Sequence, residues 1–181
     1  MLPGNAEAGS GIAARPLALT TKDEIMIIRV QSEEQCLSHN FFAKVFTTLE
    51  NRRLSVDLMT TNAAQVSMAV ISQAPHILGD TGNVDEITNH DLHGAIQDLS
   101  RFGRVEVVPH MAIVSIIGRQ VGRMPELAGD VFSALGRNKI QSAMICQGAS
   151  DLSISCVVAQ SCVSTAVSVL HDDLFARSAS H

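Results

Sequence analysis

The apolar positions of the chain recur at one fixed offset of 86 residues. The helix-like stripe that contains Val45 and Leu49 returns at Val131 and Leu135. The strand-like runs at 54–58 and 66–70 return in the same way at 140–144 and 152–156. A repeat of this length and regularity indicates two copies of one supersecondary unit.

The first copy alternates between the periods of a strand and of a helix packed on a sheet. Apolar residues at 41, 42, 45, 46 and 49 follow the helical period, whereas the run at 25–30 has the composition of a buried strand. The pattern predicts strands at 25–30, 54–60, 65–72 and 104–110 and helices at 41–51 and 92–102. That order, β-α-β-β-α-β, is the ferredoxin-like unit, an α+β fold with an antiparallel sheet and helices on one face.

The second copy has no segment of its own for the fourth strand of its sheet. It offers strands at 111–118, 140–147 and 152–159 and helices at 126–138 and 161–171. A sheet without the missing strand would expose unpaired backbone, and the alternating run at 17–21 is the remaining candidate to fill it. We therefore predict that a first module, 24–110, is inserted in a second, which comprises 16–23 and 111–175. Residues 1–15 are expected to be a flexible leader, and 176–181 a tail.

The composition argues against several classes of protein. The chain has 181 residues, a net charge of −5, six Phe and neither Trp nor Tyr, so it lacks the basic stripe and the aromatic residues typical of nucleic-acid binding. No apolar run reaches the length of a membrane span, and the N-terminus has no secretory h-region. The four cysteines form no CxxC pair, which favours reduced, buried thiols in a cytoplasmic protein.

Several stretches resemble a known family. The segment "SHNFFAKVFTTLENRRLSVDLMTTNAAQVSMAV" resembles the first regulatory ACT module of aspartate kinases, and "MAIVSIIGRQVGRMPELAGDVFSALGRNKIQSAMICQGASDLSISCVV" resembles the second. The segment "AVSVLHDDLF" is similar to the closing helix of the second module, and the fungal form is the most similar. The resemblance implies two ACT modules, the first inserted in the second, that form a homodimer and bind a small amino acid of the Thr or Lys class at the seam.

The resemblance implies regulation rather than phosphoryl transfer by this chain. An aspartate kinase has a kinase domain ahead of these modules, whereas this sequence shows no glycine-rich phosphate loop. A full-length aspartate kinase is therefore a candidate partner, together with the amino acid ligand.

The resemblance also implies where the ligand lies, at the place where the first strand of the module meets its first helix. Backbone amides at a helix N-terminus can hold a ligand carboxylate. The matching positions in this sequence are Gln35, Ser38 and Phe41 at the helix entry, Val56 and Asp57 on the second strand, and Thr61, Asn62 and Ala63 in the following turn.

Two features of this sequence depart from the family pattern around that pocket. Asn40 and Glu126 stand where the family has a glycine before the helix, and Asn62-Ala63 stands where the family has Ser-Glu. A glycine at the helix entry lets a ligand approach the backbone closely, so a side chain there bears on which ligand the pocket accepts.

Asp57 is the candidate that the residues single out without the resemblance. It is the one charged residue in the apolar run 54–58. A carboxylate in such a strand needs a hydrogen-bond donor, and the ammonium group of an amino acid ligand would serve. The alternatives are that Asp57 faces solvent on an alternating strand, or that it bonds to nearby backbone.

The histidines allow a metal site to be considered. His90 and His93 could share a helix face with Asp91 close by, but His90 is expected to lie outside the helix and no third ligand is in place. Exposed surface histidines are the simpler interpretation. We therefore expect no metal and no cofactor.

Two other functions stay open. The first is enzymatic: a relative of the kinase, recruited to a specialised biosynthetic pathway, would use Asp57, His39 or Cys36 as acid, base or nucleophile. The second is purely structural, a paralogue that only pairs with the full-length kinase. Nothing in the spacing of these residues demands either function.

Overall fold

The computed structural model describes residues 15–32, 40–62, 64–71, 90–119, 121, 125–147 and 152–176. Along the chain they form β1 (Arg15–Gln31), α1 (Phe41–Asn51), β2 (Val56–Thr61), β3 (Gln65–Ile71), α2 (His90–Leu99), β4 (Arg104–Arg119), α3 (Pro125–Arg137), β5 (Met144–Gln147), β6 (Ser153–Ala159) and α4 (Val163–His171). A 3₁₀ turn, Gln160–Cys162, leads into α4, and a π-helical turn, Asp172–Ala176, follows it.

Two long antiparallel strands, β1 and β4, run side by side through the middle of the sheet. The strand order is β2-β3-β1-β4-β6-β5, and all neighbouring pairs are antiparallel. Residues 25–31 of β1 pair with β3, whereas residues 111–117 of β4 pair with β6. Each long strand therefore contributes one part to a first half-sheet, which contains β2 and β3, and the other part to a second half-sheet, which contains β5 and β6.

The two half-sheets have the same connectivity, and the predicted ferredoxin-like fold is confirmed. In the first half-sheet the order is β2, β3, the end of β1 and the start of β4; in the second it is β5, β6, the end of β4 and the start of β1. Residues 18–22 pair with residues 113–117. The N-terminal strand thus completes the sheet of the C-terminal half, as the missing fourth strand predicts.

The backbone bends where the long strands pass from one half-sheet to the other. Glu24 in β1 has φ 57° and His110 in β4 has φ 55°, and the pairing of β1 with β4 shifts register between Lys22 and Ile25. This left-handed conformation costs non-glycine residues about 1–2 kcal/mol. Glu24 and His110 are separated by the repeat offset of 86 positions, so the two copies share a strained backbone path as well as an apolar pattern.

The first helices of the two copies also end in the same way. Arg53 and Lys139, again separated by the repeat offset, have φ 55° and 57°. The next amide in each case bonds back to a helix carbonyl, from Leu54 N to Leu49 O and from Ile140 N to Leu135 O, both at 2.9 Å. A left-handed residue after a helix with such a return bond closes the helix C-terminus.

The apolar residues form three clusters. One lies between the first half-sheet and helices α1 and α2, and a second lies between the second half-sheet and helices α3 and α4. A third cluster, called here the inter-sheet cluster, contains Ile25, Ile27, Ala69, Met111, Ile113, Met144 and Val157. Strands β2 and β5, from opposite ends of the strand order, contact each other. The half-sheets therefore face each other through the inter-sheet cluster, with the helices outside.

Several boundaries differ from the predicted ones. The runs at 17–21 and 25–30 belong to one strand because β4 pairs with β1 on both sides of Lys22, and the predicted strands at 104–110 and 111–118 are likewise one. Strand β5 starts only at Met144, where its ladder with β6 begins. Helix α2 includes His90, which we expected outside it; Asp91 in the first turn favours this start, because a negative charge is stabilising at a helix N-terminus.

The inter-sheet cluster yields a stability prediction. Ile27 is fully buried in the inter-sheet cluster, whereas Leu152 is 55% exposed. Ile27→Ala is expected to lower the free energy of unfolding by about 2–5 kcal/mol, because it removes buried methyl groups and leaves a cavity. The control Leu152→Ala should change it by less than about 0.5 kcal/mol. Urea unfolding measures both, and equal effects would contradict close packing of the half-sheets.

Candidate functional site

Some of the predicted site residues lie outside the described part of the chain. These are Gln35, Cys36, Ser38, His39 and Ala63. The positions that can be placed are Phe41, Val56, Asp57, Thr61 and Asn62, and they do not form a single cluster.

Phe41 and Val56 belong to the first core. Phe41 begins α1, is only 3% exposed and meets Phe42 edge to face, with ring centroids 6.0 Å apart. Val56 is half-buried at the start of β2 and packs against the same core. Both side chains therefore belong to the helix–sheet packing of the first half.

Thr61 and Asn62 are exposed at the turn between β2 and β3. The Asn62 side-chain oxygen accepts a hydrogen bond from the Ala64 amide at 3.0 Å, and the Asn62 amide donates to the Gln65 carbonyl at 2.9 Å. Asn62 therefore shapes the turn by the local side-chain bonding that favours this residue type in turns.

Asp57 lies at an irregularity of β2. Val56 pairs with Val70 and Leu58 with Ala69, so the register shifts at Asp57 and leaves it as the extra residue of a bulge. Bulges redirect side chains and are frequent beside functional sites. The sequence shows the isolated charge at this position but not the bulge.

The two carboxylate oxygens of Asp57 have different environments. Oδ1 accepts a hydrogen bond from Lys22 Nζ at 2.7 Å, an ion pair in which the Asp57 side chain is 23% exposed and Lys22 45% exposed. Oδ2 is buried and has no hydrogen-bond partner in the part of the chain that the structure describes. A buried carboxylate oxygen without a donor is costly, so a donor group that reached this atom would be stabilising.

Asp57 opens into a depression of ≈ 360 Å³ between the two half-sheets, called here the Asp57 pocket. Its lining combines β2 of the first half-sheet with the parts of β1 and β4 that belong to the second: Thr20, Thr21, Lys22, Asp57, Leu58, Ile113 and Ser115. Sequence reasoning missed Lys22, Thr20 and Ser115. The period of two along 18–22 places Thr20 and Lys22 on one strand face, but only the fold brings that face to Asp57.

A second and larger depression, of ≈ 640 Å³, lies on the same side of the first half-sheet and is called here the Arg104 trough. Asn62 is the predicted site residue that lines it. The other side chains are two arginines and a glutamate, several amides and hydroxyls, and a single alanine: Arg29, Arg104, Glu106, Gln31, Gln65, Thr60, Ser67 and Ala143. Ser67, which accepts a hydrogen bond from Gln65 Nε2 at 2.9 Å, is the buried polar residue of this set.

The histidines of α2 do not assemble a metal site in the described residues. His93 is hydrogen-bonded to Gln97 at 2.8 Å, one turn further along the helix. Within the described ranges, no group of three or more His, Cys, Asp or Glu side chains could hold a metal ion. Among the same residues, no helix is long and apolar enough to cross a membrane.

The cysteines that the structure places are free thiols, namely Cys146, Cys156 and Cys162. Cys156 lies in the second core and is 1% exposed. Burial raises the pKa of its thiol to about 11, and a hydrogen bond with Ser142 lowers the pKa by a smaller amount. The thiolate is the reactive form of cysteine, so Cys156 is a packing residue at neutral pH. Cys146 and Cys162 are half-buried.

A family profile described as an ACT domain matches residues 114–174 of the chain. The chain is 36% identical over 172 residues to the aspartate kinase FUB3 of Gibberella moniliformis. This alignment covers 95% of this chain and 31% of that protein. It is 32% identical over 168 residues to the aspartate kinase-like protein lolA1 of Epichloe uncinata. This second alignment covers 92% of this chain and 79% of that protein. The chain thus spans 31–33% of the length of three fungal aspartate kinases that it matches.

Solved structures share the fold. A structure of E. coli aspartokinase III in complex with lysine and aspartate, in its T-state, has a TM-score of 0.70 at 26% identity and covers 91% of this chain and 34% of that chain. A structure assigned as a C-terminal regulatory domain of aspartate kinase from Porphyromonas gingivalis has a TM-score of 0.67 at 25% identity. It covers 87% of this chain and 96% of that chain.

The environment of Cys156 yields a prediction for thiol reactivity. Iodoacetamide at pH 8 should leave Cys156 unmodified in the folded protein, because the thiol is buried and its pKa of about 11 keeps it protonated. Cys146 and Cys162, which are half-buried, should react faster and serve as internal controls. Site-resolved mass spectrometry, with a urea-unfolded sample as reference, measures this. Modification of Cys156 as fast as of the other two would contradict its burial.

Proposed function

We infer that this chain is a regulatory module, because it belongs to the aspartate kinase family and corresponds to the ACT-domain part of that family. We propose that it binds a small amino acid of the Thr or Lys class and that the bound ligand controls a catalytic part, in the same protein or in a partner such as a full-length aspartate kinase. The observation that carries the proposal is the buried Oδ2 atom of Asp57, which has no hydrogen-bond partner among the described residues.

The Asp57 pocket offers complementary charges to a zwitterion. The Asp57 carboxylate can accept a hydrogen bond from the α-ammonium group, at Oδ1 or, after a shift of the side chains that bury it, at Oδ2, and the exposed ammonium of Lys22 lies beside Oδ1 for the ligand carboxylate. The hydroxyl groups of Thr20 and Ser115 add hydrogen-bonding partners for a small polar side chain. Charge-assisted hydrogen bonds are the strong ones in a partly buried site, and this pocket can supply them to both ends of an amino acid.

A ligand in the Asp57 pocket would join the two half-sheets. Asp57 belongs to the first half-sheet, whereas Lys22 and Ser115 belong to the parts of β1 and β4 that build the second. The Lys22–Asp57 ion pair already makes this connection without a ligand. Ligand binding that strengthens or rearranges this contact can therefore shift the relative placement of the half-sheets, which is what a regulatory signal requires.

We keep the remaining predicted positions as proposed ligand-binding residues, separate from the lining of the Asp57 pocket. They are Gln35, Ser38, Phe41, Val56, Thr61, Asn62 and Ala63. The E. coli aspartokinase III structure that shares this fold contains lysine as well as aspartate, and this supports lysine as one of the ligands to test here.

We further propose a homodimer, formed along the edge of the first half-sheet. Strand β2 lies at one end of the strand order, and among the described residues no strand pairs with its outer edge. In the same half of the structure, Met59 of β2 is 37% exposed and Phe46 of α1 is 41% exposed. Exposed edges and apolar patches of this kind are sites where proteins associate.

The free thiols of Cys146, Cys156 and Cys162 support a reducing compartment, and we propose the cytoplasm.

The ligand proposal predicts the effect of neutralising Asp57. L-lysine or L-threonine should bind the unaltered protein in isothermal titration calorimetry, and Asp57→Asn should weaken that binding about tenfold or more, since a charge-assisted hydrogen bond contributes roughly 1.5–3 kcal/mol. Asp23→Asn, the same charge change at an exposed residue, is the matched control and should bind normally. The absence of heat with either amino acid, or equal loss in the two variants, would refute the proposed site.

The dimer proposal predicts a change in mass. Analytical ultracentrifugation of the unaltered protein should show twice the monomer mass, and Phe46→Glu should dissociate the dimer because it places a charge in the apolar contact. Leu152→Glu alters another exposed apolar residue, which is 55% exposed and directly precedes β6 of the second half-sheet, and should leave the dimer intact. A monomeric unaltered protein, or dissociation by Leu152→Glu instead, would contradict the proposed interface.

A further inference from the structure

The Arg104 trough is a second ligand site, and we propose that it binds an acidic amino acid, a molecule with one ammonium group and two carboxylates. The proposal does not rest on the ligand of the Asp57 pocket, because the two depressions share no lining residue. It rests on the repeat, on the charges of the trough and on the hydrogen-bonding capacity of its walls.

The trough is the repeat-related counterpart of the Asp57 pocket. Ala143, which lines the trough, lies one repeat offset after Asp57, and Ser115, which lines the Asp57 pocket, lies one repeat offset after Arg29. In the Asp57 pocket, Asp57 near the start of β2 meets the parts of β1 and β4 that belong to the second half-sheet. In the trough, Ala143, which directly precedes β5, meets the parts of β1 and β4 that belong to the first half-sheet. The fold therefore builds two equivalent cavities between its halves, and the sequence has given them different chemistry.

The charges of the two cavities differ as a result. At the position in the trough that corresponds to Asp57, the side chain is the methyl group of Ala143. The charged residues of the trough lie on the long strands β1 and β4 instead. Arg29 Nη1 is 3.3 Å from both carboxylate oxygens of Glu106. Arg104 is exposed, and the structure gives it no ion pair within the residues it describes. Among the described residues two guanidinium groups line the trough with one carboxylate, which leaves one positive charge without a counter-charge there.

The walls of the trough suit a small polar molecule. Gln31, Thr60 and Asn62 contribute amide and hydroxyl groups, and Ala143 is the single apolar side chain in the lining. A ligand that filled the trough with apolar surface would leave these groups without partners, at a cost for each. The bound molecule must therefore offer hydrogen-bonding groups over most of its surface.

An acidic amino acid matches this arrangement group by group. Its net charge of about −1 at neutral pH balances the excess positive charge of Arg29, Arg104 and Glu106. A guanidinium group binds a carboxylate through two parallel hydrogen bonds, so each arginine can hold one carboxylate. The Glu106 carboxylate, whose side chain is 60% exposed, can accept the ligand ammonium beside them.

The test is a titration of matched variants with named probes. L-aspartate and L-glutamate should bind saturably to the unaltered protein and to Asp57→Asn in isothermal titration calorimetry. Arg104→Gln should weaken this binding about tenfold or more through the loss of a charge-assisted pair. Arg101→Gln removes the same charge from a residue outside the trough that is 75% exposed, and should leave binding unchanged. Thermal melting of the variants confirms that they are folded.

Two further probes test the class of ligand. Succinate has both carboxylates but no ammonium, and inorganic phosphate is an anion without either feature, so each should bind several-fold more weakly than L-aspartate. The proposal is overturned if neither acidic amino acid binds saturably, if Arg101→Gln weakens binding as much as Arg104→Gln, or if succinate or phosphate binds as tightly. Failure of L-lysine and L-threonine to bind would instead count against the Asp57 pocket alone.

Discussion

The antiparallel pairing of β1 with β4 is the constraint on which the rest of the structure depends. The two strands stay hydrogen-bonded from the first half-sheet into the second, and each completes a half-sheet that the other begins. Each half-sheet needs β1 and β4 to reach four strands. Both of these strands continue into the other half-sheet, so neither half-sheet is complete by itself. The two modules therefore share their long strands, even though the sequence repeats as two units.

That shared pairing also creates the sites between the halves. Because β1 and β4 bend at Glu24 and His110, the half-sheets face each other over the inter-sheet cluster, and the edge strands β2 and β5 contact each other. Where apolar packing ends, the same geometry leaves cavities lined by residues from both halves. A ligand in such a cavity would contact both halves at once, and the proposed binding would then be linked to the relative placement of the half-sheets.

Much of the fold could be predicted from the sequence because the repeat fixes it. The offset that relates Val45 to Val131 also relates the left-handed residues Glu24 and His110, and the missing fourth strand identified the N-terminal segment that fills it. Strand lengths could not be predicted, since the continuity of β1 across Lys22 comes from pairing with a strand distant in sequence. The isolated charge of Asp57 was visible, but its partner Lys22 was not, because a tertiary contact 35 positions away has no local signal.

Hydrogen exchange tests the central claim most directly, namely that a ligand bound at Asp57 acts on both half-sheets. Exchange would be followed by mass spectrometry with and without saturating L-lysine, over peptides of β2 and over peptides that contain residues 18–22 and 113–117. The account predicts that exchange slows in β2 and in both of these segments together, since the pocket joins them. Slowing confined to one half-sheet, or no change in either, would contradict it.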